Sequence, residues 1–218
     1  MAQMSAIRKV MLGSVVGALV APAGAAALME SVPKAESPAK PSCPNNPCLA
    51  ISRTIGYQAK VGTDRGLMTV PRKGRIVSWT ITLSKPGTKQ IEFFDSKLGG
   101  PSEASIAVLR FGKKLRARVV SVAPSVKLKP YFGRTVEFAL TKSIPVEKGN
   151  VIALSVPTWA PALSVNHGSD TSWRASRKRG SCDDTQTQTA FGMNEIPQFY
   201  CLYRTAQITY SARVISTP

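Results

Sequence analysis

Residues 133–161 constrain the fold of this chain more than any other segment, because they have the pattern of a strand, a turn and a second strand. Apolar and polar side chains alternate over residues 135–141, which is the period-two pattern of a strand with one buried face. Residues 147–150 include a Gly and an Asn, which tolerate a tight turn, and residues 151–156 are mostly apolar. Pro157 lacks a backbone donor and is expected to end the second strand.

The same signals predict an all-β chain outside this unit. Short apolar or alternating runs are separated by turn residues, and no helical period of useful length follows the first 27 residues. These elements predict a single antiparallel β-sandwich over residues 48–218, for which a jelly roll is one candidate topology. Residues 166–197 are expected to be irregular. Strands are predicted at residues 74–83, 91–94, 104–111, 115–122 and 199–215, with a hairpin turn at residues 112–114.

The N-terminus has the character of a secretory signal peptide over residues 1–27. Arg8 and Lys9 precede an apolar run over residues 10–21, and small side chains suitable for cleavage follow it. The apolar run is short for a transmembrane helix, so we favour cleavage over an uncleaved membrane anchor. Residues 28–47 are rich in proline and polar side chains and predict a disordered linker. We therefore expect a secreted, extracellular protein without a transmembrane anchor.

The chain is strongly basic. It has 29 Lys and Arg against 12 Asp and Glu, a net charge of +17, and loss of Arg8 and Lys9 with a signal peptide lowers this by two, to +15. Such a charge predicts attraction to polyanions, including cell-wall phosphate polymers, acidic polysaccharides and anionic lipid headgroups. A general contribution to solubility is the alternative, because the cations are spread along the chain. We expect no specific recognition of nucleic acid.

Four cysteines in an exported chain predict two disulfide bonds. Three pairings are possible. We favour Cys43–Cys48, which encloses the turn-forming sequence Pro-Asn-Asn-Pro, together with Cys182–Cys201. A zinc site formed by the four thiolates is the alternative, but their spacing matches zinc-binding motifs poorly.

Candidate catalytic and metal-binding residues are few. The single histidine, His167, is followed by Asp170 and could belong to a catalytic triad, but no serine lies in a nucleophile-elbow motif. The adjacent Asp183 and Asp184 could contribute to a Ca²⁺ site, although two neighbouring carboxylates are a weak signal. We therefore predict no catalytic residue, no metal site and no obligatory cofactor.

A cluster of cations beside a tryptophan is the most suggestive candidate for a binding site. The guanidinium group of arginine matches phosphate and carboxylate oxygens, and an indole ring gives a flat face to a sugar or a cation. In the alternative interpretation, the tryptophan packs in the core and the cations are only hydrated. We predict a docking loop for an anionic polymer, formed by Trp173, Arg174, Arg177, Lys178 and Arg179 and anchored by Cys182 and Cys201.

Three sequence elements also carry a resemblance to a known group of proteins. They are SWTITL at residues 78–83, IPVEKGNVIALSVPTWAP at residues 144–161, and SWRASR with the downstream Cys182 and YCLY within residues 172–203. The chain resembles uncharacterised exported β-sandwich proteins of high-GC Gram-positive bacteria, to which no activity is assigned. The resemblance implies a β-sandwich and an extracytoplasmic location, and it implies no mechanism.

From the sequence we predict a secreted, non-catalytic binding protein of the cell envelope, whose ligand is a carbohydrate or an anionic polymer. The alternative is an exported hydrolase that acts on polysaccharide. Two carboxylates that converge in a cleft, about 5–10 Å apart, would favour the hydrolase.

Overall fold

The computed structural model describes residues 27–34 and 39–216, so the predicted signal peptide lies almost entirely outside the described residues. One α-helix, α1 (Thr88–Lys97), and one 3-10 turn, Lys129–Tyr131, accompany the strands of this part of the chain. In chain order the strands are β1 (Met29–Val32), β2 (Ile51–Val61), β3 (Asp64–Arg65), β4 (Gly74–Thr82), β5 (Glu103–Phe111), β6 (Ala117–Val122), β7 (Val126–Lys127), β8 (Thr135–Val146), β9 (Val151–Ala160), β10 (Leu163–Val165), β11 (Ser172–Ala175), β12 (Cys201–Arg204), β13 (Ala206–Ile208) and β14 (Tyr210–Ser216).

Two antiparallel sheets pack against each other, so the predicted β-sandwich is confirmed, whereas the jelly-roll topology stays a prediction. The smaller sheet has the strand order β1-β14-β4-β8. The larger sheet has the order β12-β11-β2-β9-β5-β6, with β3 beside β2 and β7 beside β5. The core between the sheets includes Trp79 and Ile81 of β4 and Ile106 and Leu154 of the larger sheet, each at most 1% exposed.

The larger sheet is buried on both faces. Successive residues of a strand point to opposite faces, and in β5 Ile106 belongs to the core between the sheets while Leu109 belongs to a second apolar cluster with Phe199. Residues 176–200, which we call the cover segment, lie over this second face and are held to it by backbone hydrogen bonds, such as Val119 N to Glu195 O at 2.9 Å. The predicted docking loop therefore begins within the sheet, at Trp173 and Arg174 of β11, and its remaining residues pack against the sheet.

The central strand–turn–strand unit is confirmed, and its two strands belong to different sheets: β8 to the smaller and β9 to the larger. Gly149 has a φ of 86° in the turn between them, a conformation that glycine adopts without steric cost. The predicted end of the second strand at Pro157 is wrong, because β9 continues to Ala160. The register between β2 and β9 shifts between Ser52 and Thr54, so the strand tolerates a proline at this irregularity.

Residues 91–94 were predicted to form a strand, and they lie instead in α1. The side chain of Gln90 accepts a hydrogen bond of 2.8 Å from the backbone N–H of Gly87, which satisfies one of the donors that a helix start leaves free. Ile91 and Phe94 of the helix and Leu98, which follows its last residue, form an apolar face that packs with Trp159. Three positions are too few to establish a helical period in the sequence.

Three further boundaries differ from the predictions. The linker predicted to be disordered over residues 28–47 contains β1, which pairs with β14 from Met29↔Ile215 to Val32↔Ala212. The backbone of this segment therefore has hydrogen-bond partners that its composition does not suggest. The predicted irregular region contains β11, which lies between β2 and β12. The predicted strand over residues 199–215 is divided, and Thr205, with a φ of 57°, separates β12 from β13.

Both predicted disulfide bonds, Cys43–Cys48 and Cys182–Cys201, are confirmed, and no cysteine of the described residues is free. The second bond joins the cover segment to the first residue of β12. Within residues 27–34 and 39–216, no helix is long and apolar enough to cross a bilayer.

Candidate ligand-binding surface

Trp173, predicted as an exposed platform, is a buried residue of β11. Only 6% of it is exposed, and its ring stacks on that of Tyr203 with the centroids 4.5 Å apart. The two residues face each other across the β11–β12 pair, so their stacking fixes the outer strands of the larger sheet. Trp173 is therefore part of the fold and presents no open ring face to a polymer.

Arg177, predicted as a ligand contact, is also buried, with 2% of the residue exposed. Its guanidinium group donates to the backbone oxygen of Ser52 at 2.9 Å, to that of Thr187 at 3.4 Å and to that of Asp184. A buried cation requires such hydrogen-bond acceptors to offset the loss of water. Arg177 thus connects β2 to the cover segment, and its charge is directed inward.

The other three predicted residues lie at the surface. Lys178 and Arg179 are exposed, and Arg174 is partly exposed. One guanidinium nitrogen of Arg174 donates to the backbone oxygens of Phe199 and Tyr200, at 3.1 and 2.8 Å. The guanidinium carbon of Arg179 lies 5.8 Å from the ring centroid of Tyr200, within the range of a cation–π contact.

A second group of cations, which the sequence analysis did not select, lies on the β5–β6 hairpin. Lys113, Lys114 and Arg116 at its tip are all exposed. The signal was present in the sequence, because residues 110–118 contain five cations and no acid, a density close to that of the docking loop.

Two consecutive backbone groups hold the hairpin and the docking loop together. The N–H of Phe199 donates to the oxygen of Leu115 at 2.8 Å, and the N–H of Tyr200 donates to the oxygen of Arg177 at 3.1 Å. Because consecutive residues are about 3.8 Å apart at Cα, the hairpin tip and the loop are neighbours. We refer to the six cations on these two segments as the basic surface: Lys113, Lys114, Arg116, Arg174, Lys178 and Arg179.

The basic surface carries little compensating charge. Residues 110–118, 174–182 and 198–202, which build it, contain no Asp or Glu. The ion pairs of the described residues lie elsewhere and join Arg72 to Glu30, Lys73 to Glu147 and Arg213 to Glu137. At the base of the hairpin, Arg110 lies directly opposite Arg118. Like charges in this position are unfavourable for the strand pair, so the hairpin concentrates positive charge at a cost in stability.

The acidic pair at residues 183 and 184 lies beside the buried Arg177. The Asp184 carboxylate accepts hydrogen bonds from Thr187 Oγ1, from Thr187 N at 3.0 Å and from Gln186 N at 3.2 Å. These hydrogen bonds, with that from the Thr187 side chain the largest influence, lower the pKa of Asp184. No group of three or more potential metal ligands occurs within the residues that the structure describes. Calcium binding here stays the untested alternative to the predicted absence of a metal site.

His167 has a partner other than the predicted Asp170. Its Nε2 lies 2.9 Å from the hydroxyl oxygen of Ser164 on β10. Ser164 is 5% exposed, so a bulky substrate has no direct approach to its hydroxyl. The pair fixes the turn that follows β10.

The hydrolase alternative requires paired carboxylates in a cleft, and four cavities of the described residues bear on it. The largest lies between β6 and β8, and the other three surround the Cys43–Cys48 loop and α1. None of these four is lined by an Asp or a Glu. The hydrolase alternative therefore gains no support from them.

Comparison of the chain with protein-family models, with curated proteins and with solved structures finds no match. The resemblance to exported proteins of high-GC Gram-positive bacteria consequently stays a prediction.

Proposed function

We propose that this protein is a secreted, non-catalytic binding protein of the cell envelope that holds an anionic polymer on its basic surface. The observation that carries the proposal is the convergence of six cations from two distant segments, with no acid in the segments that build the surface. A polymer with a phosphate or carboxylate on each repeat can contact several such cations at once. The two disulfide bonds fit an oxidising compartment outside the cytoplasm.

The geometry supports a surface contact with a chain rather than a pocket for a single sugar. The exposed cations lie on a hairpin tip and a loop, and Tyr200 between them is 37% exposed. A tyrosine at such a position can pack against a sugar ring while the cations bind the anionic groups. Because Arg174 and Arg179 are held by the backbone and by the ring of Tyr200, part of the surface is already ordered before binding.

A matched pair of fourfold variants tests this proposal. The first neutralises the surface with Lys113→Gln, Lys114→Gln, Lys178→Gln and Arg179→Gln. The control neutralises four exposed lysines on other elements, with Lys85→Gln, Lys89→Gln, Lys127→Gln and Lys129→Gln. Both variants lose four positive charges, so any difference between them reports position rather than net charge.

We expect the first variant to bind a glycerol phosphate polymer roughly thirtyfold more weakly than the parent, if each exposed cation contributes about 0.5 kcal/mol. The control variant should lose only a small part of that affinity. The measurement is a binding titration at low salt, with the uncharged polysaccharide dextran as the negative probe. Equal losses in the two variants would contradict the proposed location of the site, and tight binding of dextran would contradict the proposed class of ligand.

A further inference from the structure

The largest of the four cavities described above is an apolar groove along one open side of the sandwich. Its volume is about 680 Å³, within the range of about 300–1,000 Å³ that is usual for small-molecule sites. Strand β6 and the connection to β7 form one wall, and β8 forms the other. Trp79 and Phe138, whose ring centroids are 4.9 Å apart, lie at its base. The groove thus opens onto the core between the sheets.

One end of the groove is cationic. Residues 140–143 of β8 form a large bulge, because the register with β4 changes from Ile76↔Ile144 to Ser78↔Ala139. Arg75 stabilises the bulge by donating from Nε to Ser143 Oγ at 2.7 Å and from Nη2 to Ser143 O at 2.8 Å. Its Nη1 has no hydrogen-bond or ion-pair partner among the described residues. Lys142 is exposed on the same bulge, and no acid lines the groove.

The opposite wall carries an exposed methionine. Met193 is 63% exposed although it lines the groove, and its neighbour Asn194 donates its backbone N–H to Val119 at 2.8 Å. The backbone is therefore fixed while the thioether is free to move. Methionine is flexible and polarisable, and it adapts to apolar ligands of different shape.

We propose that this groove binds a single-chain amphiphile with an anionic head, of the fatty-acid class, with its apolar chain between β6 and β8 and its head beside Arg75 and Lys142. A sugar chain is a poor match, because the lining is largely aliphatic and aromatic. An added peptide strand is also disfavoured, because the bulge and Pro145 interrupt the free edge of β8. The combination of an apolar body and a cationic end is complementary to an acyl chain with a carboxylate.

The chain length and the head charge of the ligand test the proposal directly. Isothermal titration with decanoate and dodecanoate, below their micelle concentrations, should give one site per protein. Affinity should rise by up to roughly fourfold for each added methylene that is buried. Methyl dodecanoate, which lacks the charge, should bind roughly tenfold more weakly than dodecanoate. Equal affinities for the acid and its ester would overturn the assignment of the head to the cationic end.

Three substitutions locate the ligand. Leu140→Trp fills the groove, and Met193→Glu places a negative charge at an exposed position where the fold is insensitive to it. Both should reduce dodecanoate binding at least tenfold. Lys142→Gln should reduce it a few-fold, while Lys148→Gln, at an exposed lysine outside the groove lining, is the control. None of these variants should weaken binding of the glycerol phosphate polymer, which separates this inference from the proposed function.

The alternative occupant, a second copy of the chain, gives a different result. It predicts a dimer in sedimentation experiments that Met193→Glu converts to a monomer. That outcome, or dodecanoate binding that is unchanged in both Leu140→Trp and Met193→Glu, would overturn the proposal.

Discussion

At the scale of single residues, the cations of this protein have two different roles. Arg177 is buried and donates to three backbone oxygens, whereas Arg179, two residues later, is exposed beside Tyr200. The difference is set by the register of the chain after β11, where Ser176 N donates to Ile55 O at 2.9 Å. One residue in the cluster therefore stabilises the fold, while its neighbours remain available to a ligand.

Arg177→Met should destabilise the protein by about 2–4 kcal/mol, because it leaves the oxygens of Ser52 and Asp184 without their charged donor. Arg179→Met is the matched control and should change the free energy of unfolding by less than about 0.5 kcal/mol. Urea unfolding of the two variants measures both values. If the two substitutions had equal effects on stability, Arg177 could not be the link between β2 and the cover segment.

One buried tyrosine, Tyr210, and two partly buried ones, Tyr57 and Tyr203, make the free energy of unfolding depend on pH in the alkaline range. Burial raises the pKa of Tyr57 and Tyr203, and it raises the pKa of Tyr210 well above its usual value. The hydroxyl of Tyr210 donates to Ile152 O at 2.9 Å. A tyrosine whose pKa is raised on folding contributes stability that is complete below its unfolded pKa, about 10, and is lost as the pH rises further.

We therefore expect the contribution of these tyrosines to the free energy of unfolding to be constant from pH 7 to pH 9 and to fall above about pH 10. Tyr210→Phe should lower stability at neutral pH, because Ile152 O loses its donor, and should make the decline above pH 10 shallower. Tyr200→Phe alters an exposed hydroxyl and is the control. Denaturant titrations at a series of pH values test this, and an equally steep decline in Tyr210→Phe would refute it.

At the scale of elements, the disulfide bond between Cys182 and Cys201 joins the cover segment to β12. The bond closes a loop with a sequence separation of 19, and Cys43–Cys48 closes one of 5. Loop-closure entropy then predicts a stabilisation of roughly 3 kcal/mol for Cys182–Cys201 and roughly 2 kcal/mol for Cys43–Cys48. The longer loop contains Phe199 of the second core and Tyr200, whose ring contacts Arg179 of the basic surface.

Replacing Cys182 and Cys201 with Ala should thus lower the melting temperature more than replacing Cys43 and Cys48. It should also weaken polymer binding, because Lys178 and Arg179 lose their anchored loop, whereas the shorter disulfide lies away from the basic surface. Thermal unfolding and polymer titration of the two double variants give both comparisons. A larger loss of stability in the Cys43/Cys48 variant would contradict this account of the cover segment.

The elements differ in how well the sequence predicts them. Strands β4, β8 and the β5–β6 hairpin follow directly from alternation and turn residues, because these signals are local. Helix α1 and strand β11 do not follow from these signals. The apolar face of α1 has only three positions, and β11 has only four residues. The burial of Trp173 and Arg177 depends on how residues 172–177 align with β2, which is a tertiary property. Of the basic surface, the cations of the docking loop were predicted and those of the hairpin were not. The two segments meet through the backbone of Phe199 and Tyr200, which is a tertiary contact.

At the scale of the whole molecule, a net charge of +17 and an uncompensated basic surface predict a long-range attraction to polyanions. Attraction between exposed charges is screened over about 8 Å at physiological ionic strength. Binding by diffuse net charge and binding at the basic surface both weaken with salt, so the salt dependence of the parent alone does not separate them. The comparison of variants with equal net charge does.

The most direct test of the account is the affinity for a glycerol phosphate polymer across a salt series, for the purified protein and the two fourfold variants. The logarithm of the association constant should fall linearly with the logarithm of salt concentration, with a slope of slightly less than one for each cation that displaces a counterion. We predict that the slope becomes shallower by about three to four units when Lys113, Lys114, Lys178 and Arg179 are neutralised. The control at Lys85, Lys89, Lys127 and Lys129 should retain a slope close to that of the parent. Identical slopes for the two variants would contradict the claim that the basic surface is the binding site.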